Sequence, residues 1–382
     1  MARVLLVPFP PPGHSQPMAA LAAELHARGH RITIFQESAT TRWRMHTPLP
    51  RSKLAAGGAA MFRHLFFGDV VDMTRDILEL AGVSGAEVIV SDVMMPGGGL
   101  AAELAGLPWA TISCNPLPEL AAYRRFIPAA AVAAFAAKST LEELGLPVDD
   151  DRNLLGRTSG RLHLIPTTPG FAGHPDLPAA AALVGPFAPL PPALPAQPGT
   201  PATVVVAGST HPASELGRHA YVQDRYLRAA VAALGELGVP GLVTAQVSGE
   251  PPTNVRYLGT VGHKAVFDRA AAVVCHGGWG TVSRALVRGL PVVIAPITGD
   301  QPYIAARCAA LGLGIAVAAE SASAGELRAA IEAVLRDPAY RRAAGEFAAE
   351  CRALAPLPTA CSLIESLVGS PRRDPNIATT KP

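Results

Sequence analysis

The run Cys275-His276-Gly277-Gly278-Trp279-Gly280-Thr281-Val282-Ser283 carries the clearest chemical signal in the chain. It follows an apolar, strand-like stretch and leads into a helical pattern. Glycines at 277, 278 and 280 let the backbone approach a ligand closely. The N–H groups of a first helical turn point outward, and the helix dipole favours negative charge there. His276 and Thr281 add side-chain donors. This combination suits a diphosphate. A second run, Ala295-Pro296-Ile297-Thr298-Gly299-Asp300-Gln301, has the same setting at the end of the next strand. Asp300 beside Gln301 offers a carboxylate and an amide, which can make paired hydrogen bonds to sugar hydroxyls. A plain N-cap is the other reading of Asp300.

Near the N-terminus, Gly13-His14-Ser15-Gln16-Pro17 lies at the carboxyl end of the first strand. A neutral imidazole near pH 7 is a suitable general base for a hydroxyl acceptor. Asp92 follows the strand Glu87–Ser91 on the same expected edge. It can hold the imidazole's other nitrogen and stabilise the imidazolium, by the logic of a Ser-His-Asp triad. The plainer alternatives are a helix-start residue for His14 and a loop cap for Asp92. Met61, Phe62, Leu65, Phe66 and Phe67 in one irregular segment, and Phe126 and Phe135 in another, are candidates to line an apolar pocket. Core packing is their alternative. Asp149-Asp150-Asp151 is the one Asp-x-Asp run and reads as a solvated acidic cap, so no metal site is expected.

The elements that must position these residues alternate. Arg3–Val7 is a strand and 8–15 a Pro/Gly-rich loop. A helix is predicted from Pro17, with Met18, Leu21, Ala22 and Leu25 on one face. Gly29 stands at its C-cap, and Arg31–Phe35 is the next strand. This βαβ unit implies a parallel sheet. Glu87–Ser91, a helix at Gly97–Ala105 and Trp109–Ser113 repeat the pattern, and Leu162–Ile165 is expected to close the sheet. Segments 41–82 and 117–160 read as long irregular connections. Prolines dominate from Gly185 to Pro201 and mark a semi-rigid linker.

Beyond the linker the alternation restarts. Strands are expected at 203–207, 241–246, 255–258, 272–275, 292–295 and 315–317. Helices are expected at 221–237, 281–288, 303–311, 325–336, 338–354 and 359–368. The expected plan is therefore an N-terminal Rossmann-like domain (1–185), a linker (186–201) and a second Rossmann-like domain (202–354). A C-terminal helix (355–369) and a disordered tail (370–382) follow. Two such α/β domains facing across a cleft would bring the carboxyl edges of two doubly wound parallel sheets to one ligand site.

Bulk properties narrow the class. The chain has 382 residues, enough for two domains. Hydrophobic residues make up 49% and charged residues 16%, yet no apolar run approaches the ~18 residues of a membrane span. Val4–Val7 is too short for a signal-peptide core. The net charge of +2 comes without a basic block, which argues against nucleic acid as a partner. Five cysteines without CxxC spacing fit small buried side chains in a reducing, cytoplasmic setting. A dinucleotide-dependent dehydrogenase does not fit: Ser283 stands where a third fingerprint glycine belongs, and the first βα turn holds only Gly13.

The sequence resembles the GT-B-fold inverting glycosyltransferases that use UDP- or TDP-sugars on natural products such as macrolides and other antibiotics, flavonoids and carotenoids. The resemblance is carried by 13–17, Asp92, Gly208-Ser209, 276–281, Gly289-Leu290-Pro291 and Asp300-Gln301, and it spans nearly the whole chain. It implies His14 as the base with Asp92 as its partner. It implies donor contacts from Ser209, Thr210, Val261, His263, His276, Gly277, Gly278, Trp279, Gly280, Thr281, Asp300 and Gln301. Gly13, Met61, Phe62, Phe66 and Phe126 are the candidates for contacting the acceptor. It also implies that the final helix crosses back to the N-terminal domain. Arg284 stands where the family often has a ribose-binding glutamate, and Thr260-Val261-Gly262-His263 replaces a Trp-x-Pro-Gln run that packs on the base. TDP is mildly preferred over UDP. The expected protein is a monomer or homodimer needing no cofactor and no metal. A GT-B-fold sugar-nucleotide epimerase and a catalytically silent binding homologue are the alternatives.

Overall fold

In the computed structural model of the chain, the described residues are 1–45, 68–113, 115–117, 138–148, 158–173, 175–190, 202–209, 218–259 and 266–369. They form two compact units. The first comprises 1–166, 175–187 and the segment from 356. The second comprises 167–174 and 188–355.

The first unit is built on six parallel strands: β1 (Arg3–Val7), β2 (Arg31–Ile34), β3 (Val88–Asp92), β4 (Trp109–Ile112), β5 (His163–Ile165) and β6 (Ala181–Leu183). Their order is β2-β1-β3-β4-β5-β6. β1 and β3 are covered almost throughout, which is why they read as continuous apolar runs rather than alternating ones. Helices α1 (Pro12–Ala27), α2 (Val70–Ser84), α3 (Pro96–Ala105) and α4 (Lys138–Leu144) belong to this unit, as does α11 (Pro356–Leu367) from the far end of the chain. Ala360, Cys361, Ile364 and Leu367 of α11 share a core with Met18, Leu21 and Leu25 of α1. Glu365 reinforces the contact, paired with Arg28 at 3.1 Å and His30 at 2.9 Å.

The second unit holds β7 (Thr203–Ala207), β8 (Gly241–Val243), β9 (Val255–Tyr257), β10 (Ala270–Cys275), β11 (Val292–Ile294) and β12 (Gly314–Ala316). All are parallel, in the order β12-β11-β10-β7-β8-β9. Its helices are α5 (Pro169–Ala172), α6 (Arg218–Leu237), α7 (Trp279–Leu286), α8 (Gln301–Ala310), α9 (Ala324–Arg336) and α10 (Pro338–Leu354). In each sheet the strand order reverses once, between β1 and β3 and between β7 and β10. Open α/β sheets bind ligands outside the carboxyl ends of the strands at such reversals.

Several elements depart from the sequence expectation. α1 starts at Pro12 rather than Pro17, so His14 lies in its first turn. Pro12 occupies the position that tolerates a missing N–H, while Pro17 sits inside the helix. The segment 41–82 is not irregular throughout, because α2 runs from Val70 with Asp69 as its cap, accepting from the amides of Val71 and Asp72. Its buried Val70, Met73, Thr74, Ile77 and Ala81 keep a helical period. The first sheet does not close at 165; the short Ala181–Leu183 pairs beyond β5. Residues 167–174 leave the first unit, because Phe171 packs on Trp279 and Phe347 at ring separations of 4.9 and 6.0 Å. Arg307 also bonds the Phe171 carbonyl at 2.7 Å.

Cys275, Cys308, Cys351 and Cys361 are free, buried thiols. Burial pushes Cys275, Cys351 and Cys361 up to about 12. Within the first sheet, the buried His163 bridges Thr111 Oγ1 at 2.9 Å and Ser113 Oγ at 3.2 Å. Burial pushes its pKa down to about 4, from 6.5. As pH falls the unfolded chain binds this proton first, so the contribution of neutral His163 to stability is complete above about 6.5 and is lost towards 4. The melting temperature of His163→Gln should therefore fall less steeply than the parent's between these pH values. Parallel slopes in a scan across that range would contradict the assignment.

Candidate active site

In the first unit, His14 and Asp92 flank the strand reversal. His14 lies in the first turn after β1, and Asp92 is the last residue of β3. His14 Nδ1 is 2.9 Å from Asp92 Oδ2. The Asp92 side chain is 1% exposed and that of His14 19%. The other Asp92 oxygen accepts from the Met94 amide at 2.8 Å, so the carboxylate is fixed from both sides. Phe9 meets the imidazole edge-on at 4.9 Å between ring centres. The bond fixes the tautomer: with Nδ1–H donated to Asp92, Nε2 keeps its lone pair as an acceptor of protons.

Glycine permits this geometry. A Cβ on Gly98 would lie 2.2 Å from Ser91 Oγ, so α3 can rest against β3 at that distance only because Gly98 has none. Ser91 Oγ in turn bonds the Met95 carbonyl at 2.9 Å, pinning the turn that follows Asp92. Gly13 is exposed and a Cβ there would meet nothing.

A further feature borders the β1 end. A cavity of about 430 Å³ is lined by Leu6, Pro8, Pro10, Ser15, Met18, Phe35 and Trp43, with Gln36 and Glu37 among its polar groups. Sequence reasoning passed over it, although Phe35 and Trp43 are aromatic residues just past β2. The acceptor candidates Met61, Phe62, Leu65, Phe66, Phe67, Phe126 and Phe135, and the acidic run 149–151, lie outside the described residues.

In the second unit, Ser209 follows β7, and 276–281 joins β10 to α7, again on the two sides of the reversal. Gly277 has φ +93°, and a Cβ there would press within 2.7 Å of Ile294 Cγ2. His276 is almost covered, its imidazole beside Gly278. Gly278 caps α7 without a side-chain hydrogen bond. The same lack of a side-chain cap bond holds for α1, α3 and α8, which follow β1, β3 and β11. By contrast α2, α5, α9 and α10 are capped by Asp69, Thr168, Ser323 and Asp337.

Some expected donor residues serve the fold. The Trp279 indole is 5% exposed and packs on Phe171 and Phe347, so its ring belongs to the core of the second unit. Gln301 Oε1 accepts from the amides of Ile297 and Thr298 at 2.8 and 3.0 Å. Its carbonyl thus braces the loop, and its N–H₂ group is what can read a hydroxyl. Asp300 stands at the N-cap of α8 but makes no capping bond, so the plain N-cap reading does not hold. Ser209 N donates to Gln223 Oε1 at 2.9 Å. A cavity of about 570 Å³ lies at the ends of β8 and β9, lined by Asp224, Ala245, Gln246, Val247, Ser248, Tyr257 and Gly259. Thr210, Val261 and His263 lie outside the described residues.

Residues 238–367 match the family described as Erythromycin biosynthesis protein CIII-like, C-terminal domain. Over 96% of its length the chain is 28% identical to the whole of 4'-demethylrebeccamycin synthase of Lentzea aerocolonigenes. It is 37% identical over 142 residues to tylactone mycaminosyltransferase of Streptomyces fradiae, covering 36% of this chain and 31% of that one. The solved glycotransferase of kitacinnamycin superposes with a TM-score of 0.77 at 22% identity, over 96% of this chain and 99% of that one. The glycosyltransferase VinC in complex with dTDP superposes with a TM-score of 0.70 at 22% identity, covering 96% and 99%. The chain has the GT-B fold and is similar along its length to natural-product glycosyltransferases. Among the described residues, no helix is long and apolar enough to cross a membrane, and no group of three or more His, Cys, Asp or Glu could hold a metal.

Two glycines of the loop should respond oppositely to substitution. Gly277→Ala places a Cβ at positive φ against a buried isoleucine, at a cost of about 1–3 kcal/mol. Gly280→Ala meets nothing closer than Arg284 Nη1 at 3.5 Å and gains helix propensity. Thermal melts should show a lowered midpoint for the first and an unchanged or raised one for the second. Equal losses would mean that the loop is packed otherwise.

Proposed function

We propose that this glycosyltransferase moves a sugar from a TDP- or UDP-sugar onto a hydroxyl of a small, largely apolar acceptor in antibiotic-type secondary metabolism, with inversion and without a metal or other cofactor. The observation that carries the reading is the His14–Asp92 pair, an imidazole with one nitrogen locked by a buried carboxylate. The relatives support the substrate class through the rebeccamycin and tylactone compounds in their names, and the VinC complex supports TDP.

The mechanism is a single in-line displacement. His14 Nε2 takes the proton of the acceptor hydroxyl while the oxygen attacks the anomeric carbon. The bond from that carbon to the phosphate oxygen breaks, and its electron pair leaves with the nucleoside diphosphate. Attack opposite the leaving group inverts the anomeric centre. The buried Asp92 stabilises the imidazolium that forms. The leaving diphosphate is received by the amides at the start of α7, prearranged donors aimed at developing negative charge. The nucleoside is assigned to the cavity beyond β8 and β9, with Ser209 between it and the phosphates. The donor sugar is assigned to Asp300 and the Gln301 amide. The cavity beside β1 and β2 seats an apolar part of the acceptor.

The test is turnover of TDP- and UDP-sugars against a panel of apolar alcohols, with the anomeric configuration of the product read by NMR and EDTA present. An inverted product formed in EDTA is expected. Retention of configuration, or activity that disappears with the chelator and returns with a divalent ion, would refute the mechanism. His14→Ala should lower kcat by about 10²–10⁴-fold and leave TDP affinity unchanged. Near-parental turnover would remove His14 from the base role. Asp92→Asn should fold and bind donor normally but turn over far more slowly, because an amide cannot stabilise the imidazolium; an unchanged kcat would show that the pair is only structural.

A further inference from the structure

The cavity beside β1 and β2 draws its walls from both cores of the first unit. Leu6 and Met18 belong to the core shared with α11, whereas Phe35 and Trp43 belong to the core of α2 and α3. The cavity therefore caps the carboxyl end of the β1–β2 pair and is not a packing gap within either core. Ser15, which also lines it, follows His14 in the first turn of α1. Pro8 and Pro10, on the same lining, flank Phe9, whose ring meets the His14 imidazole. The cavity and the base thus share one turn of chain.

One wall, residues 42–45, is braced from two sides. The Asp76 side chain of α2, 5% exposed, accepts from Arg42 Nη1 at 2.6 Å and from the Trp43 amide at 2.8 Å. Just past β2, Glu37 accepts from the Met45 amide at 3.3 Å and pairs with Arg44 at 3.6 Å. A wall fixed in this way loses little further freedom when a ligand binds. The facing residue Ile34 ends the edge strand β2 and is 45% exposed. Ile32, on the same strand face, packs against the core of Met18 and Leu21. An isoleucine on open surface would need no explanation. Ile34 instead lines a braced, largely apolar cavity of about 430 Å³, inside the range of roughly 300–1,000 Å³ usual for small-molecule sites.

We propose that Ile34 is a specificity-determining residue for the acceptor, covered on binding by the apolar portion of the acceptor that does not react. The acceptor thereby enters a cavity already formed, and burial of Ile34 selects alcohols by apolar size. This rests on the reading of His14 as the base of a glycosyl transfer, because the shared turn is what ties the cavity to the reacting hydroxyl.

The test is steady-state transfer from a TDP-sugar to apolar alcohols of graded size, for the full-length parent, Ile34→Asn and Ile34→Val, with TDP titration and thermal melts of each. Because Ile34 is exposed, both variants should melt close to the parent. Ile34→Asn should raise the acceptor KM about 10–100-fold, more for larger apolar alcohols, with kcat and TDP affinity held. Ile34→Val, which keeps a branched apolar side chain, should recover most of that loss. A merely structural role would instead lower kcat, TDP affinity and melting temperature together. An acceptor KM of Ile34→Asn within twofold of the parent, or a rise that ignores the size of the alcohol, would overturn the assignment while leaving the transfer reading standing. A parent that transfers sugar to none of the alcohols would overturn that reading, and the Ile34 assignment with it.

Discussion

A carboxylate buried to 1% exposure has to be held, and Asp92 is held by His14 on one oxygen and the Met94 amide on the other. An unpaired buried charge is among the costliest features a fold can carry. The first unit resolves that cost by fixing an imidazole in one orientation and one tautomer. Much of the local packing serves this contact. Gly98 lets α3 lie on β3, Ser91 pins the turn after Asp92, and the early start of α1 places His14 within reach.

The second unit follows a comparable logic with backbone rather than side chains. An N-cap side chain is worth about 1 kcal/mol of stability, and the chain uses such caps on α2, α5, α9 and α10. It omits the cap bond at α1, α3, α7 and α8, the helices that start at the carboxyl ends of β1, β3, β10 and β11. Orphan N–H groups at a helix start are a liability in a ligand-free fold and an asset where an anion binds. At the start of α7, these are the amides that the proposed mechanism gives to the diphosphate.

The pairing of His14 with Asp92 was more legible in the sequence than much of the architecture around it. His14, Asp92 and the 276–281 loop could be read because each combines an unusual residue type with a strand on one side and a helix on the other. β1, β3, β7 and β10 were readable because burial on both faces leaves uninterrupted apolar runs. Three-residue β6 was not, since Ala-Ala-Leu carries no strand propensity and pairs only because β5 offers an edge. α2 carries a plain cap and period, although the sequence reading placed it inside one long irregular connection. The departure of 167–174 from the first unit depends on aromatic contacts between Phe171, Trp279 and Phe347, residues far apart in the chain. The same packing puts the Trp279 ring in the core. Strand order, and with it the reversal in each sheet, follows from long-range pairing that no local pattern encodes.

The central claim is a protonation state, and it can be observed directly. With ¹⁵N-labelled histidine, the two ring nitrogens of His14 are distinguishable by NMR above the pH at which the imidazole titrates. The account predicts a protonated Nδ1 and a bare Nε2 in the parent, with that preference lost in Asp92→Asn. A parent whose His14 carries its proton on Nε2 would have no lone pair facing the acceptor, and would contradict it.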